Sequence, residues 1–326
     1  MNTEVKLHGI HHITAIASDP QRNLDFYTEL LGLRLVKRTV NFDDPSAYHF
    51  YFGDRIGTPG TILTFFPWPG ARRGSRGTGQ VVATSFAMVR SALDFWVDRL
   101  QKWHVAAEKI PDRFGEAVLR FSDPDGLLIE LITSEHRNVL VPGDDSLVSG
   151  ELALQGFHAP TLELQRADLS VQLLTEVFGF ELTAEEGNRK RFAVDPKMPN
   201  KQIDVVERPD GSFGHIAAGT VHHIAFRAAN DDEHQGWRDK LDGLGFNVTP
   251  VIDRQYFHSI YFREPGGVLF EIATDAPGFS IDEPVEKLGE TLKLPPQYEA
   301  HRAEIERSLP PITLEQNRFA DSAPKP

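Results

Sequence analysis

Two histidine pairs and one glutamate are the residues best placed to do chemistry. His11-His12 opens the run His-His-Ile-Thr, and His222-His223 opens His-His-Ile-Ala. Glu271 lies inside Leu269-Phe270-Glu271-Ile272, where a charge is costly to bury unless it is paired or binds a metal. Two histidines and a carboxylate on rigid strands are the ingredients of a facial triad, which leaves coordination positions open on a metal. The stretch from Val221 to Thr274 supplies part of the frame. Val221 to Phe226 and Gly266 to Thr274 have the apolar, β-branched character of strands. Asp231 to Gly245 between them has helical spacing, with Trp237, Leu241 and Leu244 on one face. If the first and last strands are neighbours, a histidine and the glutamate can meet.

Composition narrows the options. A chain of 326 residues suggests about two domains. The net charge of -13 argues against nucleic acid or an anionic membrane as partner, because both need a basic footprint. The absence of cysteine excludes disulfides, thiolate metal sites and cysteine nucleophiles, so any metal must use histidine, carboxylate or water. Met1 to Leu7 lacks the apolar core of a signal peptide, and no run approaches 18 apolar residues. No membrane span and a cytoplasmic location are therefore expected.

The strand–helix–strands order recurs four times. The first unit has strands at His11–Ala17, Leu33–Val40, Ala47–Phe52 and Thr61–Phe66, with a helix around Leu24–Leu31 capped by Asp19 or Asn23. In its third strand, His49 and Tyr51 share one side. The second unit has Val81–Met88, a helix at Ala92–Gln101, Ala117–Phe121 and Leu127–Ile132. The third has His158–Leu164, a helix at Leu169–Val177, then Phe180–Thr183, Arg189–Val194 and Gln202–Val206. The helix exits repeat as Leu31-Gly32-Leu33, Phe178-Gly179-Phe180 and Leu244-Gly245-Phe246. This predicts an α+β protein of four βαβββ modules paired into two domains. The polar stretch Asn138–Gly150 is the expected boundary, giving residues 1–145, residues 150–276 and a tail of 277–326. The tail carries a short helix at Gln297–Leu309 and disorder from Arg318.

The repeat, both His-His-Ile motifs and the run Gly266-Gly267-Val268-Leu269-Phe270-Glu271 resemble the vicinal oxygen chelate superfamily. Within it the chain is similar to ring-cleaving dioxygenases that open hydroquinones. The shared segments include Leu33-x-x-Val36-Lys37-Arg38-Thr39-Val40, Tyr48 to Gly53, Gly57-Thr58-Pro59-Gly60-Thr61, Glu186 to Arg189 and Ile260-Tyr261-Phe262-Arg263-x-Pro265-Gly266-Gly267. The resemblance covers nearly all of residues 8–300. It implies curved mixed sheets forming cups with helices outside, and first and last strands adjacent in each module. It implies Fe(II), or Mn(II) in some members, held by His12, His223 and Glu271, with the first and fourth modules building one site. His11 and His222, the first members of the pairs, read either as supports behind the ligands or as substrate contacts, and the resemblance implies that they line the pocket with Thr14, Arg254 and Tyr261. Tyr261 would bond a substrate oxygen or position O2, and Arg254 would neutralise an oxygen anion; a half-buried strand tyrosine and a surface arginine are the plain alternatives. The partners are then a small aromatic diol and O2, and a homo-oligomer is left open. Ring cleavage of a hydroquinone is the leading reading. The rivals are extradiol catechol cleavage on the same triad, glyoxalase-like isomerisation or thiol transfer, and non-enzymatic binding of a small molecule.

Other residues read as structural. Glu130 matches Glu271 in the second module, but Ala83 stands where His223 would be. His158 could pair with Glu130, which still leaves one histidine missing, so a second site is expected to be degenerate. His258 is out of phase with Tyr261 and should lie away from the metal. Ile10, Phe226, Phe257 and Phe262 are core candidates. The glycine clusters do not join a strand to a helix as nucleotide-binding loops do.

Overall fold

The computed structural model describes residues 5–135, 141–143, 146–148 and 150–314. Much of the expected boundary, including Asn138, and the tail from Arg318 lie outside these residues.

Among the described residues, sixteen strands form two curved eight-stranded mixed sheets. One holds β1 (Ile10–Ala17), β2 (Arg34–Val40), β3 (Tyr48–Gly53) and β4 (Ile62–Pro67) with β13 (Val221–Ala228), β14 (Ile252–Asp253), β15 (Phe257–Arg263) and β16 (Leu269–Pro277). The other holds β5 (Gln80–Met88), β6 (Ala107–Arg113), β7 (Glu116–Ser122) and β8 (Leu128–Thr133) with β9 (Thr161–Leu164), β10 (Glu181–Glu186), β11 (Arg189–Ala193) and β12 (Gln202–Glu207). The first module thus shares a sheet with the fourth, and the second with the third. Each sheet draws on both sides of the boundary expected near residues 145–150. The joints are antiparallel pairings of β1 with β13 and of β5 with β9. Within modules, β1 runs parallel to β4 and β13 to β16, so first and last strands are indeed neighbours.

Helices α1 (Pro20–Asp25), α2 (Leu93–Lys102), α3 (Asp168–Gln172) and α4 (Asp231–Gly243) pack on the strands by apolar stripes. Asp19 caps α1 by accepting from Arg22 N, and Asn230 caps α4 by accepting from Glu233 N. α1 and α3 both run into a π-helical turn, with Leu31 N bonded to Phe26 O and Phe178 N to Leu173 O. These wider turns swing Tyr27 onto Phe52 and Phe65, and Phe178 onto Phe226 and Trp237. The larger of two hydrophobic clusters among the described residues includes Leu24, Phe121, Phe178, Trp237 and Phe270.

Two strands differ from the sequence expectation for identifiable reasons. β6 was not expected, because Ala107-Glu-Lys-Ile-Pro-Asp-Arg113 is charged and holds a proline; it forms an exposed edge strand, where both features block further pairing. β9 begins at Thr161 rather than His158, since Ala159 has φ +40° and Pro160 follows it.

The tail is a strap. Lys37, which strand alternation would place at the surface, is fully buried with its Nζ 2.5 Å from both Asp282 Oδ1 and Glu283 Oε2. The strap then crosses β2 so closely that a Cβ on Gly289 would collide with the Leu35 carbonyl oxygen. Tyr298 Oη donates to Phe42 O, and Tyr48 Oη to Pro310 O, before α5 (Arg302–Ser308) and beyond it. Lys37→Ala would leave two carboxylates without their cation, one of them deeply buried. It is expected to lower stability by about 3–5 kcal/mol in equilibrium denaturation.

Candidate metal centre

His12 is on β1, His223 on β13 and Glu271 on β16, three strands adjacent in one sheet. Their side chains point into the cup and are buried. The ligand atoms lie within 4.8 Å of one another. Glu271 Oε2 is 2.9 Å from His223 Nε2 and 3.2 Å from His12 Nε2, and the two nitrogens are 3.3 Å apart. Oε2 is nevertheless aligned for a hydrogen bond with neither ring, whereas Oε1 accepts from Ser259 Oγ.

The neighbours of His12 decide its tautomer. His11 Nε2 is 3.0 Å from the Thr274 carbonyl oxygen, which can only accept, so that nitrogen carries the proton. His11 Nδ1 is then an acceptor, and it lies 2.9 Å from His12 Nδ1. His12 therefore donates from Nδ1 and presents a lone pair at Nε2. The second pair repeats the contact, with His222 Nδ1 2.8 Å from His223 Nδ1. One nitrogen lone pair from His12, the Nε2 of His223 and a carboxylate oxygen thus converge in a buried space. Such an arrangement repels itself unless a cation sits among them, and backing a ligand imidazole through its second nitrogen is how metal sites hold the ring. The donor set fits a divalent metal.

Burial alone would raise the Glu271 carboxyl, but positive, donating rings at His12 and His223 hold it well below the ordinary range, and a metal would supply that positive charge once the rings are neutral. Burial lowers His223, and lowers His11 well below its usual value. Burial, with His223 beside it, pushes His222 down to about 3.

A cavity of about 370 Å3 opens above the triad. Thr14, His222, Arg254 and Tyr261 border it. His11 does not. A register shift in β1 between Ile10 and His12 tucks its ring behind His12, and Phe257 packs against it at 5.1 Å. Adjacent residues on these strands do not simply face apart: the rings of each pair meet edge to face at 5.1 Å. Arg254 Nε donates to Tyr261 Oη at 3.3 Å, and its Nη1 is 3.3 Å from Asp43 Oδ2. Burial opposes the Arg254 charge, but Tyr261 and Asp43 more than offset it. Burial first, then Glu271, push the Tyr261 phenol up, so it stays a neutral donor. His258 points away and bonds Asp231 at 2.6 Å.

Sequence reasoning missed much of the wall. Asn41, Phe42, Asp43, His49, Tyr51, Phe66 and Trp68 border the cavity, and so does Phe257, read as plain core. For His49 and Tyr51 the alternation of β3 was the available signal.

The second cup keeps the same frame with a different set of side chains. Thr161 pairs with Ala83 as Thr14 pairs with His223, so Gly156-Phe157-His158-Ala159-Pro160-Thr161 aligns with Gly9-Ile10-His11-His12-Ile13-Thr14. His158 therefore matches His11, and Ala159 stands where His12 would. Both ligand histidines are missing, not one. Glu130 keeps the place of Glu271 but is gripped by Arg113 at 2.8 and 3.0 Å and by Arg120 at 2.9 Å. Burial would raise Glu130, yet these guanidinium groups hold it down at about 2. Arg120 stands opposite Glu130 as Tyr261 stands opposite Glu271. Arg189 and Arg191 pair with Asp204 in the same cup. His158 Nε2 bonds Glu116 at 2.8 Å. Arginine charge occupies the space that the first cup leaves for a metal and a ligand.

The chain belongs to the glyoxalase/bleomycin resistance protein/dioxygenase superfamily, whose sequence profile matches residues 9–131 and 161–272. It is 48% identical to the Bacillus subtilis (strain 168) protein named as ring-cleaving dioxygenase MhqO, over 95% of this chain and 98% of that one. It is 36% identical to the chlorohydroquinone/hydroquinone 1,2-dioxygenase of Sphingobium indicum, over 95% and 98%. A crystal structure titled as a dioxygenase from Bacillus subtilis superposes with a TM-score of 0.91 at 47% identity, covering 96% of this chain and all of that one. Glyoxalase I from Zea mays shares the fold, with a TM-score of 0.61 at 13% identity over 82% of this chain and 92% of that one.

Proposed function

We propose that this chain is a metal-dependent ring-cleaving dioxygenase that opens a hydroquinone-type aromatic diol with O2. The observation that carries the reading is Glu271 Oε2, buried with no aligned hydrogen bond and facing the Nε2 atoms of His12 and His223. The named relatives supply the reaction class, including one that acts on hydroquinones.

His12, His223 and Glu271 would hold the metal, taken as Fe(II) with Mn(II) as the alternative. A bound Fe(II) supplies redox partnership between the diol and O2, with positions open beyond three protein ligands. The chain's own residues do the rest. His11, fixed by the Thr274 carbonyl, keeps the His12 ring in the metal-binding tautomer, and His222 backs the His223 ring through its Nδ1. Arg254 places a permanent positive charge on the wall, where it favours the ionised form of a phenol. Tyr261 offers a neutral hydroxyl beside it. Phe66, Trp68 and Phe257 give the ring an apolar surface and keep water from it. The outcome is extradiol-type cleavage: one carbon–carbon bond beside a hydroxyl-bearing carbon breaks, both oxygen atoms are retained, and an open-chain acid results.

The test is anaerobic reconstitution with Fe(II), Mn(II) or no metal, followed by oxygen-uptake measurements with hydroquinone and with catechol. Uptake that needs both metal and hydroquinone supports the reading. An Fe(II)-loaded protein that consumes no O2 with any aromatic diol would sink it.

A further inference from the structure

A polar track on the cup wall is left over once the triad and the Arg254–Tyr261 pair have their roles. His49 Nε2 lies 2.9 Å from Thr64 Oγ1, and Thr64 Oγ1 lies 2.9 Å from Thr14 Oγ1. The strand register builds this line. Thr14 on β1 pairs with Thr64 on β4, and Thr64 pairs with Tyr51 on β3. His49, two residues from Tyr51, shares its face. The His49 ring is wedged between Tyr51 at 4.0 Å and Phe66 at 4.4 Å, so it cannot swing freely. Its Nδ1 has no partner among the described residues, and the ring borders the cavity.

β3 is two strands from β1, about 10 Å along the sheet. His49 thus borders the same cavity as His12 from a strand two places along the sheet. Burial keeps His49 well below its ordinary pKa, and His12, Arg254 and His223 add to the effect, so the ring is a neutral imidazole. Such a ring bonds a hydroxyl whichever nitrogen holds the proton, because a phenol both donates and accepts.

Building on the function proposed above, we infer that His49, anchored through Thr64 to Thr14, binds the substrate hydroxyl distal to the triad and so selects para-diols. A hydroquinone carries its oxygens at opposite ends of the ring. With one at the triad, the other points across the cavity at His49. A catechol carries both oxygens at the triad end and turns a C–H toward His49, which leaves Nδ1 unpaired. A site built to bond a hydroxyl discriminates against analogues that lack one there.

The test is calorimetric binding of hydroquinone, catechol and phenol to the metal-loaded protein under argon, for wild type, His49→Phe and His49→Gln. Wild type is expected to prefer hydroquinone over phenol by about tenfold. His49→Phe keeps a ring in the wedge and should abolish that preference while leaving phenol and catechol affinity within about twofold. His49→Gln keeps a polar group and should restore part of it. A His49→Phe protein that still prefers hydroquinone overturns the inference. Oxygen uptake by the same wild-type sample separates the two claims. Selective hydroquinone binding without O2 consumption would sink the dioxygenase reading and leave the role of His49 standing. O2 consumption without preference for hydroquinone over phenol would do the reverse.

Discussion

Replacing Glu271 by alanine is expected to abolish O2-dependent ring opening and to remove most of the bound metal, and His12→Ala and His223→Ala should do the same. Each change deletes one of three donors that converge within 4.8 Å. Stability gives a second readout. A metal that binds only the folded chain stabilises it by about 2.7 kcal/mol at a hundredfold excess over Kd, and the three variants should lose that gain. His11→Ala should keep the metal with affinity or activity lowered about 10–100-fold, since His11 holds the ring of His12 rather than the metal. Metal analysis should find one ion per chain in wild type and an unchanged value in His158→Ala, because the second cup has arginines where the ion would sit. Protons compete for Nε2, so metal affinity falls as pH falls. Sequence alone places that loss near 6.5, the ordinary histidine value. Burial lowers the pKa of His223, so its neutral, binding form persists below 6.5 and its contribution is lost only at more acid pH. Metal content retained in His12→Ala but lost in His11→Ala would reverse the assignment of the pair.

Arg254→Ala should leave metal content intact and lower kcat about 100–1000-fold, the scale seen when a preorganised charge is removed from a dry site. Arg254 bonds Tyr261 and Asp43 rather than a member of the triad. Tyr261→Phe should act in the same direction and less strongly, since the phenol is one neutral donor beside that charge. The two substitutions are expected to be non-additive, because the side chains share a hydrogen bond. Turnover and metal analysis on the two single variants and the double variant check this. Loss of metal in Arg254→Ala would mean that the residue supports the fold of the site and not the reaction.

The triad was legible because its residues break the local pattern. A glutamate inside Leu269-Phe270-Glu271-Ile272 and two histidine pairs in matching module positions are hard to explain as packing. The repeat itself showed in the glycines that stop each helix. How the modules pair in space was far less legible from periodicity, because strand patterning says which face is buried and not which strand lies alongside. The wall contributed by β3 was hidden for a related reason. Phe50 and Phe52 pack toward the core while His49 and Tyr51 line the cup, so both faces of the strand look apolar and alternation cannot say which is the cavity. His11 was misplaced because a register shift in β1 defeats strict alternation. The burial of Lys37 depends on a strap more than 240 residues away in sequence, joined by the contacts to Asp282 and Glu283.

The most direct test of the central claim is mass spectrometry of the product formed from hydroquinone and isotopically labelled O2 by the Fe(II)-reconstituted protein. A ring-cleaving dioxygenase built on His12, His223 and Glu271 should yield an open-chain acid carrying both labelled oxygen atoms, and the Glu271→Ala protein should yield none. Recovery of unlabelled benzoquinone as the enzymatic product, or labelled ring-opened product from Glu271→Ala at the wild-type rate, would contradict it.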